Sequence, residues 1–150
     1  MSDFNPDLFL ANSTAEANAD KYEPIPAGEY LAQINKIDPR QVSGKNGPQI
    51  VLDIVWKVQD EGNKAAHNRN VRQSIFVDTT QEGFIATGTN TNVQLGKLRS
   101  ALKQNIAGQP WSPSMLAGQV ARIKVQHRVG EAGTKYAGQV FDEVGAVSGL

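Results

Sequence analysis

The sequence predicts an all-β domain with one helix, folded as a small five-stranded barrel. Five segments are rich in β-branched and aromatic residues and read as strands: 28–37, 50–58, 69–78, 119–129 and 135–144. A single segment, 92–106, carries apolar residues at helical spacing. Glycine, proline and asparagine are common in the breaks between these segments, and such residues favour turns.

The first two predicted strands form the most apolar part of the chain. In the second strand one face is fully apolar and the other is mixed, which suits a strand of a closed barrel. The apolar face carries Ile50, Leu52, Ile54, Trp56 and Val58, and the mixed face carries Val51, Asp53, Val55 and Lys57. We expect Trp56 and, on the first strand, Tyr30 to be core residues.

The segment between these strands, 38–48, is rich in Gly and Pro and carries Arg40 and Lys45. This composition predicts a long, mobile and basic surface loop. Because binding residues are often placed on loops, the segment is a candidate binding loop.

The third predicted strand, 69–78, alternates between two faces. Val71, Gln73, Ile75 and Val77 are set against Arg72, Ser74 and Phe76. Single-stranded nucleic acid is bound by cations along its backbone and by exposed aromatic rings under its bases. Phe76, on the same face as Arg72, is therefore a candidate stacking residue. The alternative is a core Phe in a strand that is buried on both sides.

The predicted helix at 92–106 places Leu95, Leu98, Leu102 and Ile106 on one face. Asn92 or Thr91 is expected to cap its start, and Gly108 follows its end.

The fourth predicted strand, 119–129, carries Arg122, Lys124 and Arg128 on one face. This row is either a track for phosphates or a solvated strand face. A turn at 130–133 leads to the fifth strand at 135–144, where Lys135 and Tyr136 lie beside the turn and are candidate contacts for phosphate and base. Lys57 on the second strand is a further candidate cation.

Three strands, a helix and two more strands is the element order of an OB-fold barrel. OB-folds bind oligonucleotides or oligosaccharides across strands 2 and 3 and through the loops that join strands 1–2 and 4–5.

Length and charge fit one domain preceded by an acidic arm. The chain has 150 residues and zero formal charge. Residues 1–24 hold five acids and one lysine, so the remainder has 14 cations and ten acids and a net charge of +4. We expect a flexible arm at 1–24, an OB-fold domain at 25–145 and a flexible C-terminus at 146–150. A mildly basic body permits nucleic-acid binding and does not require it.

The sequence contains no recognisable catalytic set. It has no cysteine, only two histidines, no phosphate-binding loop and neither a Gly-x-Ser-x-Gly nor a His-Glu-x-x-His motif. Asp53 and Asp78 are strand carboxylates of the kind that hold Mg²⁺ in nucleases, but such acids are more commonly solvated or salt-bridged. We therefore predict a non-enzymatic protein without a metal or cofactor.

The first residues lack the cations of a signal peptide, and no apolar run reaches membrane-spanning length. We expect a cytoplasmic protein with no membrane contact.

Several stretches resemble phage-encoded single-stranded DNA-binding proteins of OB fold. The resemblance lies in Pro26–Ile34, the Gly44–Gly47 turn, the Val51–Ile54 strand, the leucines of the helix and Leu116–Ala121. It spans about residues 25–145 and implies a protein that coats single-stranded DNA in the host cytoplasm during phage replication, recombination or repair. Homo-oligomers and phage or host replication proteins are the partners that this resemblance allows. The C-terminus departs from many single-strand binders, because Asp142 and Glu143 are its only acids.

A structural or protein-interaction β-barrel of a phage is the alternative function. The neutral overall charge favours this alternative, whereas the cations of the fourth strand and of segment 38–48 favour DNA binding.

Overall fold

The structure, a computed structural model, describes residues 3–20, 23–44 and 47–150. Within these residues the strands are β1 (Gly28–Gly44), β2 (Gly47–Val58), β3 (Asn70–Val77), β4 (Val120–Val129) and β5 (Val140–Ser148). The α-helices are α1 (Pro6–Leu10) and α2 (Val93–Ala101), and a short 3₁₀ helix spans Pro113–Leu116.

The five strands form one antiparallel sheet in the order β3-β2-β1-β4-β5. The main helix, α2, lies between β3 and β4 in the chain and contacts β3 and β5. The predicted fold class, all-β with one helix after the third strand, is confirmed. The two end strands, β3 and β5, also contact each other, but no ladder joins them in the described part of the chain. The barrel is therefore partly open.

β1 and β2 form a much longer hairpin than the sequence predicts. Their pairing runs from Ala32↔Val58 to Gly44↔Gly47, so residues 38–44 belong to β1. The prediction of a long, mobile loop at 38–48 is wrong. Proline is tolerated at position 39 because β4 pairs only with residues 28–33 of β1, and this leaves one edge of β1 free further along.

β1 changes partners at a β-bulge. A register shift between Ile34 and Lys36 interrupts the ladder with β2 at Asn35. Bulges bend a strand and increase its local twist. This bend lets β1 pair with β4 near its start and continue along β2 as an edge strand, which curves the sheet around the core.

The core lies on the inner face of this curved sheet. Trp56 is fully buried and Tyr30 is 4% exposed, as predicted. Trp56 Nε1 donates a 2.9 Å hydrogen bond to Gln73 Oε1, and Gln73 is also buried. β3 follows its predicted alternation, with Val71, Gln73, Ile75 and Val77 buried and Arg72, Ser74 and Phe76 exposed.

The main helix is shorter than predicted. α2 ends at Ala101, and Lys103 has a left-handed φ of 59°, which turns the chain away before Ile106. Asn92 precedes the helix as expected, but its side chain does not cap it. Instead its amide bonds to the backbone of Asp78 at 2.7 and 2.9 Å and to Ala86 O at 2.9 Å, which ties the start of α2 to the end of β3.

The fifth strand begins later and ends later than predicted, at Val140–Ser148. Lys135 and Tyr136 therefore lie in the loop before it, and residues 146–148 pair with β4. Gly130 N donates to Gln139 O at 2.8 Å, which closes this loop at its base. A Cβ on Gly130 would lie 1.8 Å from Tyr136 O, so the turn requires glycine there.

The N-terminal segment makes little contact with the domain. Residues 3–20 are all exposed, including every residue of α1. The domain begins where Ile25 is fully buried and its N–H donates to Asp142 Oδ2 at 2.9 Å. None of the helices in the described residues is long and apolar enough to cross a membrane.

Candidate nucleic-acid interface

Nine side chains of β1, β2 and β3 share the outer face of the sheet, and we call them the three-strand patch. Strand register places them in three rows across the strands: Lys36–Val55–Arg72, Asp38–Asp53–Ser74 and Arg40–Val51–Phe76. Neighbouring strands lie about 4.8 Å apart, so each row spans about 10 Å. The patch exists because residues 38–40 belong to a strand, which the sequence did not predict.

Asp53 lies at the centre of this patch and is 9% exposed. Its Oδ2 accepts a 2.5 Å hydrogen bond from Arg40 Nε, and its Oδ1 accepts a 2.6 Å bond from Ser74 Oγ. Both carboxylate oxygens therefore have a partner from a neighbouring strand. This network joins all three strands of the patch through side chains.

The surroundings of Asp53 favour its ionised form. Burial raises the pKa of this carboxyl, but the hydrogen bonds from Arg40 and Ser74 and the charges of Arg40 and Arg72 outweigh that effect. The net result is a pKa below the usual value of 3.8. Asp53 is thus an ionised carboxylate whose charge is balanced by the neighbouring arginines.

Phe76 is the exposed aromatic ring of the patch, with 54% of its surface accessible. Its cross-strand neighbour Val51 is only 1% exposed, although it does not belong to the main core cluster. Arg40 and Phe76 flank Val51 on either side and are the side chains placed to cover it. An exposed aromatic ring on a strand face can stack on a base.

The outer face continues from the patch towards β4. Lys57 on β2 lies opposite Gln33 of β1, and Gln33 lies opposite Val120 of β4. Two residues further along β4 is Arg122, followed by Lys124, and both are exposed. Among the described residues, neither these two cations nor Lys57 or Arg72 forms an ion pair with a carboxylate. We call these four residues the cation track.

The predicted trio of β4 cations is divided in the structure. Arg128 is exposed, as are Arg122 and Lys124, but its Nε bonds to Glu143 Oε2 at 3.2 Å. Its guanidinium also lies 5.3 Å from the ring of Phe141. Arg128 thus belongs to the end of the β4–β5 hairpin and not to the cation track.

The loop between β4 and β5 carries a small aromatic cluster. Tyr136 is half exposed and meets Phe141 edge-on, with ring centroids 5.8 Å apart. Lys135 Nζ lies 5.6 Å from the Tyr136 ring. Lys135 and Tyr136, which were predicted at the start of β5, are therefore together and accessible in the loop, and Phe141 is a third member that the sequence did not single out.

The remaining predicted site residue, Lys45, lies outside the described residues. Arg40 is on a strand and not on a loop, with its Nε engaged by Asp53. The network around Asp53 was not predictable from the sequence, because its three members come from three strands and meet only through register. Phe141 was not singled out because β5 was predicted to begin at residue 135, which placed Phe141 inside the strand and away from the loop.

In the described residues no group of three or more His, Asp or Glu side chains is arranged to hold a metal ion. Comparison of the chain with protein-family models and with curated proteins gave no match.

Proposed function

We propose that the protein binds single-stranded DNA with little sequence preference and without catalysing a reaction, in DNA replication, recombination or repair. The observation that carries this proposal is the exposed ring of Phe76 on the same strand face as Arg72, the member of the cation track nearest to it. Stacking platforms combined with cations along a groove are how proteins hold single strands regardless of sequence.

The sheet geometry supports an extended ligand. The cation track crosses from β3 over β2 and β1 to β4, which is three strand spacings or about 14 Å across the sheet. Its members are also staggered along the strands, so the track runs diagonally. A flexible single strand can follow such a path, and phosphate contacts along it carry no direct sequence information. The resemblance to phage single-stranded DNA-binding proteins supports a role in a phage.

The proposal is tested by fluorescence anisotropy with a labelled oligo-dT and with duplex DNA of the same length. Wild-type protein is expected to bind oligo-dT more tightly than duplex. Phe76→Ala should weaken oligo-dT binding by about 5- to 150-fold, because base–aromatic stacking is worth roughly 1–3 kcal/mol per base. Unfolding in urea should be nearly unchanged, since Phe76 is half exposed.

Phe84→Ala is the matched control, because Phe84 is also exposed but lies in the loop after β3. It should bind oligo-dT like the wild type. Equal effects of the two substitutions, or no binding by the wild type at low salt, would contradict the proposal.

A protein-interaction role is the second candidate. It is favoured by the apolar side chains in and next to α1, namely Phe4, Leu8, Phe9 and Leu10, which are 63–80% exposed. Surfaces of this kind are typical of contacts with other proteins. Absence of DNA binding together with self-association that is lost on deletion of α1 would favour this second role.

A further inference from the structure

A carboxylate at the centre of a phosphate-binding face requires an explanation. Asp53 would repel a DNA backbone if its charge were free. It is not free, because Arg40 and Ser74 occupy both of its oxygens and the residue is 9% exposed. Asp53 therefore has no free oxygen to accept a hydrogen bond from DNA. Any effect of Asp53 on binding has to act through Arg40 or Ser74.

Asp53 holds Arg40 and Ser74, and of these two residues Arg40 is the one that can contact DNA. A guanidinium has five N–H donors in a rigid planar fork. Only the Nε–H is used on Asp53, and among the described residues the terminal nitrogens of Arg40 make no hydrogen bond. The Arg40 side chain remains 53% exposed. Fixing Nε orients the plane of the fork, so that its remaining four donors are presented to solvent in one orientation.

Arg40 is also placed correctly relative to the stacking residue. Arg40, Val51 and Phe76 form one row of the patch, so Arg40 and Phe76 are two strand spacings apart, about 10 Å. A nucleotide whose base lies on Phe76 would have its backbone within reach of the Arg40 fork. Ser74 holds the second oxygen of Asp53 and fixes the carboxylate from the side of Phe76.

We propose that Asp53 is a positioning residue of the interface: it holds Arg40 by Nε so that the terminal nitrogens of Arg40 grip one phosphate beside the base stacked on Phe76. This inference rests on the proposed function. A negative charge on this face thereby strengthens the binding of a polyanion.

The test compares Asp53→Asn, Arg40→Gln and the double variant in oligo-dT titrations over a range of salt concentrations. Loss of one phosphate contact should flatten the slope of log affinity against log salt by about 0.7. The same relation gives about fivefold weaker binding at roughly 0.1 M salt. Each single variant should show both effects, and the double variant should be no weaker than Arg40→Gln alone.

Glu82→Gln is the matched control. Glu82 is an exposed acid in the loop after β3 and lies outside the three-strand patch. Its removal should leave binding unchanged or slightly tighter. If Asp53→Asn likewise binds as well as or better than the wild type, or if its effect adds to that of Arg40→Gln, Asp53 is not a positioning residue.

Arg40→Lys keeps the inference falsifiable even if Asp53→Asn does not fold. It retains the charge but not the planar fork, since Lys is a point charge on a flexible stem. Positioning of a fork predicts that Arg40→Lys binds as weakly as Arg40→Gln, whereas a simple charge effect predicts wild-type binding. Wild-type protein that binds no oligo-dT would refute the proposed function, and the inference with it. Wild-type protein that binds while Arg40→Lys behaves like it would refute the inference alone.

Discussion

Buried polar side chains show how single residues constrain this fold. Gln73 faces inward from β3 and is 8% exposed, a position where an amide is costly unless it is hydrogen-bonded. Trp56 supplies that bond from β2. No buried side-chain nitrogen or oxygen lacks a partner in the described residues. The Trp56–Gln73 pair therefore fixes the register of β2 and β3 in a way that apolar contacts alone do not.

The first prediction concerns this pair. Trp56→Phe removes the donor and leaves Gln73 Oε1 buried without a partner, which costs about 1–3 kcal/mol, in addition to the loss of packing. The free energy of unfolding, measured in urea, should fall accordingly. Adding Gln73→Leu should recover part of the loss, because both polar partners are then gone. A double variant less stable than Trp56→Phe would contradict this account.

The second prediction concerns acid stability. The pKa of Asp53 is lowered in the folded state, since the bonds from Arg40 and Ser74 and nearby positive charge outweigh its burial. Such a group contributes stability that is fully present above its unfolded pKa, near 3.8, and is lost as the pH falls through the lower folded pKa. The difference in unfolding free energy between wild type and Asp53→Asn should therefore be constant above about pH 5 and shrink below pH 4. A difference that grows on acidification would mean that the folded-state pKa is raised.

At the scale of elements, the bounds of strands that alternate between buried and exposed residues could be predicted. The elements whose bounds were mispredicted have identifiable physical causes. β3 and β4 lie within one residue or so of their predicted bounds, because period-2 patterns such as Val71–Val77 admit only one orientation. The extension of β1 through Pro39 was missed, since proline normally ends a strand and only the free edge of β1 permits it.

The bounds of β5 and α2 were mispredicted for a second reason. They depend on contacts and backbone conformations outside the apolar pattern of each segment. β5 starts at Val140 because a closed loop, fixed by Gly130, holds the residues before it. α2 stops at Ala101 although the leucine pattern continues, because Lys103 adopts a left-handed conformation. The candidate cations were predictable from strand alternation, but which of them are paired with carboxylates was not.

The third prediction separates the cations of β4. Arg122→Gln with Lys124→Gln should flatten the salt slope of oligo-dT binding by about 1.4, or 0.7 per phosphate contact, with the same loss for mixed sequences. Arg128→Gln should change the slope much less, because Glu143 already neutralises Arg128. Lys97→Gln with Lys103→Gln, on and after α2, is a charge-matched control that should leave the slope unchanged. A slope that responds equally to all three changes would show that only total charge matters.

At the scale of the whole molecule, charge is separated along the chain. The formal charge is zero, but residues 1–24 carry a net charge of −4 and the remainder +4. The arm is exposed throughout its described part, residues 3–20. It is nevertheless tethered beside the domain, because Glu23 O accepts a bond from Arg69 and Ile25 is held by Asp142 and His127. A tethered polyanion raises the local concentration of a competitor for cations.

The last prediction follows from this tether. Deletion of residues 1–22 removes four acids and one lysine and keeps the anchoring contacts of Glu23 and Ile25. Stability towards urea should be unchanged, since α1 contains no buried residue. The shortened chain has a net charge of +3 and should bind oligo-dT more tightly at low salt. The gain should disappear towards roughly 1 M salt, where the Debye length falls to about 3 Å.

A control chain separates charge from the mere presence of the arm. Full-length protein with Asp3, Asp7, Glu16 and Asp20 changed to Asn or Gln keeps the apolar residues of α1 and loses only the acids. If electrostatic competition is the mechanism, this chain should bind as tightly as the deletion at low salt. Weaker binding after deletion, with normal binding by the neutralised full-length chain, would instead show that α1 contributes apolar contacts to the complex or to an oligomer.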